Sequence, residues 1–282
     1  MLAAWRREMA YLKNQIRLAA KQTARKHKTE ETMELGVPLA AGNTAALYVD
    51  GGRIIKVFNE HLPDGEAKRE AQKQSFAYAC GLAVPEVLEV TQIDGRQAII
   101  MEYVAGKTLG ALMQEAPENA TELLALSVEI QTGMHQKTVE EDALEPMHEK
   151  LARQIQQAGS LKAAWREALL ARLYKLPVQN KLCHGDFHVF NLICTEGRTV
   201  IIDWADASAG TPYADACRTY LLYAGNSKEL AEGYLELYCG RSGAKREDVL
   251  KWMPIVAGAR LSENVAASEK ERLLNIVEET VF

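Results

Sequence analysis

Residues 183–191 read CHGDFHVFN, and residues 201–204 read IIDW. The first stretch places Asp186 five positions before Asn191, and the second places Asp203 after a short apolar run. A loop carboxylate can accept a proton from an attacking hydroxyl, whereas an amide oxygen and a second carboxylate are hard ligands suited to Mg²⁺. The two stretches therefore predict a site that handles nucleotide phosphates, with Asp186 as the base and Asn191 and Asp203 as metal ligands.

A lysine within an apolar strand gives a second signal. Residues 54–58, IIKVF, predict a strand whose alternation places Lys56 on one face and Ile55 and Val57 on the other. Buried lysines are almost always paired, and Glu70 on the next predicted helix is a suitable partner. The pair would hold an ammonium group against anionic oxygens such as phosphates, although each residue alone is better explained by a solvated side chain.

The chain changes character near residue 105. Before it we predict strands over 47–49, 54–58, 85–90 and 97–101, a helix over Glu66–Cys80, and a tight loop of small residues at Ala41–Ala45. Beyond it we predict two short strands near 192–194 and 200–202 and helices around 123–134, 148–158, 161–175, 213–224, 228–239, 247–257 and 262–279. The fold class is therefore α+β, with a small antiparallel-sheet lobe at 35–104 and a larger α-rich lobe at 105–282.

The first segment, 1–34, is predicted to be a basic amphipathic helix. Residues 1–30 hold eight Lys or Arg against two Glu, and Trp5, Met9, Leu12 and Ile16 recur at helical spacing. Packing of this stripe on protein, including a second copy of the chain, is favoured over binding to an anionic membrane.

Composition excludes several classes of protein. The net charge of -5 gives no general attraction for nucleic acid, and no apolar run approaches the ~18 residues needed to cross a bilayer. An apolar fraction of 48% is that of a globular protein. Five scattered cysteines fit free thiols in a reducing cytoplasm better than a disulfide framework.

In order, a small-residue loop, a strand lysine, a helix glutamate, a linker, H-G-D-x-x-x-x-N and I-D-W resemble the aminoglycoside phosphotransferase/choline kinase family over roughly residues 35–265. The resemblance implies a protein-kinase-like two-lobe fold and ATP- and Mg²⁺-dependent phosphorylation of a hydroxyl on a small molecule. It implies that Asp186 is the catalytic base, that Asn191 and Asp203 bind magnesium, and that Lys56 and Glu70 position phosphate. By the same resemblance, the backbone of Glu102 and Val104 contacts adenine, and Asp215 braces the catalytic loop.

Two departures and one spacing qualify that resemblance. The loop that would cover the phosphates has one glycine, Gly42, so phosphate contact there rests on few backbone N–H groups and on Asn43 or Thr44. Val189-Phe190 replaces the Pro-Gly that is usual in the catalytic loop of this family. Only eleven residues separate Asp203 from Asp215, which favours a small-molecule acceptor over a peptide.

Two other interpretations stay open at this point. One is a catalytically inactive nucleotide-binding module of the same fold. The other is a metal-dependent hydrolase in which His184, Asp186 and His188 form an H-x-D-x-H cluster. The acceptor also stays open among aminoglycosides, choline-like amines and sugars. A cationic acceptor could use the glutamates near the carboxyl end, including Glu263 and Glu269, but an exposed helix face explains these residues better.

Overall fold

The computed structural model describes residues 35–281. They form two compact units. The first comprises the described residues up to Ala79 together with Ala83–Ala105, and the second comprises Cys80–Leu82 and Gly106 onward. The sequence-based segments 1–34, 35–104 and 105–282 stay a prediction, and the helix and oligomer contact expected of the first segment lie outside the described residues.

The first unit is an antiparallel sheet with one helix. Its strands are β1 (Ala40–Ala41), β2 (Ala45–Asp50), β3 (Arg53–Phe58), β4 (Val87–Ile93) and β5 (Arg96–Glu102), and its helix is α1 (Glu66–Ala79). The strand order is β1-β2-β3-β5-β4, so β3 lies at the centre of the sheet.

Two tight turns set the register of this sheet. Gly51 and Gly52 connect β2 to β3 with φ of 54° and 80°, and Asp94 and Gly95 connect β4 to β5 with φ of 50° and 75°. Positive φ at both central residues gives the twist that two-residue hairpins need, which explains the Asp-Gly and Gly-Gly sequences.

The two faces of β3 enter different apolar clusters. Ile55 and Val57 are buried with residues of β4 and β5 on one face. On the other face, Phe58 packs against Ala67 and Ala71 of α1. Alternation therefore places Lys56, between Ile55 and Val57, on the face that α1 covers.

The second unit is mainly helical and carries two small sheets. Its strands are β6 (Lys107–Thr108), β7 (Lys181–Cys183), β8 (Leu192–Cys194), β9 (Thr199–Ile201) and β10 (Ser208–Gly210). Its helices are α2 (Leu109–Glu115), α3 (Ala120–His135), α4 (Met147–Gln157), α5 (Ala163–Leu173), α6 (Pro212–Ala224), α7 (Lys228–Ser242), α8 (Arg246–Leu250), α9 (Met253–Arg260) and α10 (Ala267–Val281). β10 pairs with β7, and β8 lies between β6 and β9.

The α+β class and the kinase-like arrangement of elements expected from the sequence are confirmed, with local corrections. The helix predicted over 247–257 is two helices, α8 and α9, because Pro254 lies in the first turn of α9 and lacks the N–H that a continuous helix would need. The last helix begins at Ala267 rather than 262. Strands of two or three residues such as β1, β6, β7 and β10 were not predicted, because they are too short to show a period.

The cysteines are free thiols, as the sequence predicts. Cys183 and Cys217 are buried, Cys80, Cys194 and Cys239 are half-buried, and all five are free. Within residues 35–281, no helix combines the length and the hydropathy that crossing a bilayer requires.

We expect a single methyl group at position 110 to disturb the fold. A Cβ on Gly110 of α2 would overlap the ring of Phe190. Although alanine favours helix more than glycine, Gly110→Ala should therefore lower the free energy of unfolding by about 1–3 kcal/mol. Gly133→Ala in α3 is the matched control, because nothing lies within 4 Å of a Cβ there. Urea unfolding should show the control unchanged or up to about 1 kcal/mol more stable, and an equal gain for both variants would contradict the packing of α2 on Phe190.

Candidate active site

The loop of residues 184–191, here the HGD loop, joins β7 to β8. Its sharp turn falls at Gly185, whose φ is +83°. Side chains rarely adopt that backbone conformation, and a Cβ at this position would also overlap the backbone of Asp206. The glycine of H-G-D is therefore required by both backbone conformation and space.

His184 anchors the HGD loop to the segment that carries Asp203. Its Nε2 lies 3.0 Å from the carbonyl oxygen of Ile202, and its Nδ1 lies 3.3 Å from the backbone N of Asp186. The carbonyl must accept and the N–H must donate, so Nε2 carries the proton. Both ring nitrogens are used by the backbone, and neither is left to bind a metal. The H-x-D-x-H metal cluster considered from the sequence is therefore not formed.

Two donors orient the carboxylate of Asp186. Arg218 Nη2 lies 3.4 Å from Oδ1, and His188 Nε2 lies 3.5 Å from Oδ2. His188 Nδ1 accepts from the backbone N of Phe190, so the ring proton is on Nε2, facing the carboxylate. Burial raises the pKa of Asp186, but the His188 hydrogen bond and the Arg218 charge outweigh burial and hold this pKa well below its usual range. Asp186 is therefore an ionised carboxylate, and its side chain is 28% exposed.

The β8–β9 hairpin brings Asn191 close to the Asp203 segment. Leu192 pairs with Ile201. Just beyond this pair, the backbone N of Ile202 donates a hydrogen bond of 3.0 Å to the carbonyl oxygen of Asn191. Asn191 Nδ2 donates to the carbonyl of Asp186 at 2.9 Å, which leaves its Oδ1 as the atom suited to a cation. Asp203 comes directly after Ile202, is exposed, and has φ of 64°. A left-handed aspartate backbone is uncommon, and strain of this kind concentrates at functional sites.

Helix α6 contacts the HGD loop at four positions. Four side chains of the helix, spaced over about two turns, form hydrogen bonds or ion pairs with four residues of the loop, and the order along the helix is the same as the order along the loop. The pairs are Asp215 Oδ1 with Gly185 N at 2.6 Å, Arg218 with Asp186 Oδ1 at 3.4 Å, Thr219 Oγ1 with Phe187 O at 2.9 Å and Tyr223 OH with Val189 N at 3.1 Å. The loop that carries Asp186 is therefore fixed by one face of one helix.

Asp215 lies at the centre of a buried hydrogen-bond network. Its Oδ2 accepts from His135 Nε2 at 3.0 Å and from Gln131 Nε2 at 3.2 Å, and its Oδ1 accepts from Gly185. The other nitrogen of His135, Nδ1, lies 3.0 Å from the hydroxyl of Tyr238. His135, Cys183 and Asp215 are close enough to hold a metal ion, but these hydrogen bonds already occupy the histidine and the carboxylate.

In the first unit the structure brings Lys56 and Glu70 together. Lys56 Nζ lies 2.6 Å from Glu70 Oε1, and the two side chains are 12% and 3% exposed. Lys56 also lies over the ring of Phe58, with 5.5 Å between Nζ and the ring centroid. The pairing of β3 with α1 thus keeps an ammonium group at a fixed position on the sheet.

Asn59 holds the small-residue loop between β1 and β2. Its side-chain Nδ2 donates to the carbonyls of Gly42 and Asn43 at 3.3 and 2.9 Å, and its backbone N donates to Thr44 O at 2.8 Å. Because Asn59 ties down three consecutive carbonyls, it fixes the conformation of the loop.

The segment expected to contact adenine begins at the end of β5. Glu102 N donates to Glu86 O at 2.9 Å, so this N–H is already used within the sheet. Val104 follows in a segment without regular structure. The N–H of Glu102 is therefore not available to a nucleotide.

Several residues of the site were not predicted from the sequence. Arg218 is the most informative, because it lies three residues after Asp215 on a predicted helix, and this spacing places both on one face. Glu263 was assigned to an exposed helix face, but it pairs with Arg218 at 3.0 Å and with Arg260 at 2.8 Å. Partners that are distant in sequence leave no periodic signal.

Removing the charge of Asp215 should destabilise the protein. In Asp215→Asn an amide N–H₂ would face two donors, His135 Nε2 and the Gln131 amide, and we expect the free energy of unfolding to fall by about 3 kcal/mol. Asp50→Asn is the control, since Asp50 is 52% exposed at a turn that also accepts asparagine. Equal stability of the two variants in urea would contradict the buried network.

The pH dependence of the same variant gives a second check. Burial raises the pKa of Asp215, but the bonds from His135 and Gly185 outweigh burial, so its pKa lies below its usual range. A carboxyl of this kind adds stability above its unfolded value of about 3.9, and this stability is lost as the pH falls toward the folded value. The difference in unfolding midpoint between wild type and Asp215→Asn should therefore shrink below about pH 4.

Comparison with known proteins identifies the family to which this chain belongs. Residues 36–251 match the family model of the phosphotransferase enzyme family. No curated protein sequence matches the chain significantly.

Solved structures share the fold at low sequence identity. A thermostable mutant of the aminoglycoside phosphotransferase APH(4)-Ia, in a ternary complex with ADP and hygromycin B, superposes with a TM-score of 0.64 at 16% identity, covering 88% of this chain and 94% of that one. A choline/ethanolamine kinase family protein from Mesorhizobium loti gives 0.60 at 17% identity over 93% and 94% of the two chains. Choline kinase LicA from Streptococcus pneumoniae gives 0.60 at 16% identity over 94% and 99%.

The family match spans most of the chain and includes the HGD loop, Asp203 and Asp215, which confirms the resemblance seen in the sequence motifs. This protein therefore belongs to the phosphotransferase enzyme family and is a small-molecule phosphotransferase.

Proposed function

We propose that this enzyme transfers the γ-phosphoryl group of ATP, bound with Mg²⁺, to a hydroxyl group of a small molecule. The observation that carries the proposal is the Asp186 carboxylate, ionised and held by two donors on a loop that also supplies Asn191. A related structure of the same fold holds ADP together with an aminoglycoside, and others are choline kinases, which supports both the nucleotide and the class of acceptor.

Asp186 would act on the acceptor hydroxyl. Phosphoryl transfer passes through a loose transition state, so positioning and charge neutralisation contribute most of the rate enhancement. The low pKa of Asp186 makes it a weak base, suited to orienting the hydroxyl and taking its proton late, when the oxygen is already bonding to phosphorus. His188 and Arg218 keep the carboxylate in one orientation for this step.

Asn191 and Asp203 fit a magnesium site by their chemistry. They offer an amide oxygen and an exposed carboxylate, which are hard oxygen donors, and the β8–β9 register brings their segments together. Mg²⁺ needs few protein ligands because it keeps water and phosphate oxygens in its shell. When bound, the cation would supply neutralisation of charge on the phosphates.

The pair of Lys56 and Glu70 would place an ammonium group against nucleotide phosphate. Glu70 is nearly fully buried and holds Lys56 on the α1 face of the sheet. Gly42, Asn43 and Thr44 would cover phosphate through the loop that Asn59 fixes. Glu102 and Val104 would contact adenine through their backbone groups.

A screen of acceptors with Mg-ATP tests the proposal. An aminoglycoside, a choline-like amine and a sugar are the acceptor classes to compare. Transfer is read by ADP release and by the phosphorus NMR signal of a new phosphomonoester. Mg-ATP that raises the melting temperature without transfer to any of these compounds would contradict the proposed acceptor classes.

Asp186→Asn should separate chemistry from binding. With the acceptor found in the screen, we expect kcat to fall by at least ~10²-fold while the affinity for Mg-ATP stays near normal, because only proton acceptance is lost. Asp203→Asn should instead weaken binding of the magnesium nucleotide. Asp248→Asn, an exposed aspartate of α8 paired with Lys251, is the control. Near wild-type turnover in Asp186→Asn would remove the catalytic assignment.

Lys56→Met should lower nucleotide-dependent activity. Loss of the ammonium group removes a phosphate contact, and we expect kcat/KM for ATP to fall by ~10²-fold, about 3 kcal/mol of transition-state stabilisation. Lys107→Met is a matched control, because Lys107 also pairs with a glutamate at 2.6 Å but is 58% exposed. Kinetics at varied ATP measures both variants, and equal activity of the two would argue against the role of Lys56.

A further inference from the structure

We propose that Arg218 is a positioning residue for Asp186: it fixes the orientation of the Asp186 carboxylate for transfer of the acceptor proton. The inference rests on the proposed function, since it deepens the role of the same site. It concerns a residue of α6 that does not itself need to touch nucleotide.

The contacts of Arg218 are divided between Asp186 and Glu263. Its Nη2 lies 3.4 Å from Asp186 Oδ1 and 3.0 Å from Glu263. His188 lies 3.5 Å from the other carboxylate oxygen, so a permanent cation and a histidine N–H hold the two oxygens from different elements. Rotation of the carboxylate would break both contacts.

Arg218 is poorly exposed, and its charge is maintained by its surroundings. Its side chain is only 10% exposed, and burial lowers its pKa, but Glu263 and Asp186 outweigh burial and raise it. Arg218 Nε has no partner among residues 35–281, and the side chain borders a cavity of about 40 Å³ next to Gly185 and Asp206, with room for water. A buried arginine with one unused N–H is costly, and stability alone would favour an apolar residue here.

A chain of alternating charges extends from Arg218 through Glu263. Glu263 pairs with Arg260 at 2.8 Å, Arg260 with Glu269 at 3.2 Å, and Glu269 with Arg272 at 2.8 Å. Arg272 Nη2 then donates to the carbonyl of Leu221 at 3.0 Å. The chain begins and ends on α6, so the helix that holds the HGD loop also limits the movement of Arg218.

This arrangement has a definite consequence for the reaction. As the acceptor oxygen bonds to the γ-phosphorus, the bond from that phosphorus to the bridging oxygen of ADP breaks, and the hydroxyl proton passes to Asp186. The Arg218 and His188 contacts fix which carboxylate oxygen faces the acceptor and receives the proton. Without Arg218, the Asp186 carboxylate would lose one of its two contacts and could rotate.

The test is a kinetic double-mutant cycle on the full-length enzyme with Mg-ATP. Water serves as the acceptor in a single-turnover hydrolysis assay, and the acceptor from the screen is used in parallel. We expect Arg218→Met to lower kcat by ~10-fold to 10²-fold, a part of the effect of Asp186 itself, with KM for ATP unchanged. Arg218→Lys, which keeps the charge but loses the planar fork, should fall between wild type and Arg218→Met. Arg246→Met, which breaks an exposed pair with Glu232, is the control.

The decisive comparison is made in the Asp186→Asn background. There Arg218→Met should change kcat by less than ~2-fold, because a residue that acts through Asp186 has nothing left to position. An equal loss in both backgrounds, or wild-type kcat in Arg218→Met, would overturn the proposal while leaving the proposed function standing. If Asp186→Asn itself leaves kcat unchanged, the role proposed for Asp186 fails, and the positioning role of Arg218 fails with it. Urea unfolding tests the same coupling without an activity assay. The proteins are wild type, Asp186→Asn, Arg218→Met and the double variant. We expect the loss in unfolding midpoint of the double variant to differ from the sum of the two single losses, and equality would show that Arg218 does not act on Asp186.

Discussion

The hydrogen bond from the backbone N of Gly185 to the buried carboxylate of Asp215, 2.6 Å long, is the contact on which the HGD loop depends. It closes a turn that only glycine tolerates, and it ties this turn to a helix rather than to another loop. The carboxylate is satisfied on its other oxygen by His135 and Gln131, so the contact has little freedom to shift. A rigid support of this kind suits a reaction in which catalysis is mostly positioning.

Further contacts extend this support along the HGD loop and to the segment of Asp203. Arg218, Thr219 and Tyr223 repeat the anchoring further along α6, and His184 and Asn191 connect the loop to the segment of Asp203. Asp186, Asn191 and Asp203 thus lie on segments that are held by two short strands, β8 and β9, and by one helix, α6. The catalytic groups are on loops, but the positions of those loops are set by regular structure.

Local sequence patterns made much of this architecture predictable, whereas contacts between residues distant in sequence could not be predicted. The hairpin turns and α1 follow from glycine positions and alternation, because each depends on neighbouring residues. The pairing of Lys56 with Glu70 was predictable for another reason: a lysine in an apolar strand needs a charged partner. The motif at 183–204 indicated the chemistry, since few other reactions need those side chains at those spacings. Arg218 with Glu263, Asn59 with the Gly42 loop, and His135 with Asp215 join residues far apart in sequence. Nothing in the local period of either partner indicates such contacts, and only the folded structure brings the partners together.

Hydrogen exchange at the amides of Gly185 and Val189 tests most directly whether α6 holds the HGD loop. Both amides donate to α6 side chains, to Asp215 and to the Tyr223 hydroxyl. If the loop and the helix are one cooperative unit, these two amides should exchange as slowly as those in the middle of α6 and should be exposed only by the same opening. Exchange at Gly185 and Val189 that is orders of magnitude faster than in α6, in a protein whose α6 stays protected, would show that the loop opens independently and would contradict this account.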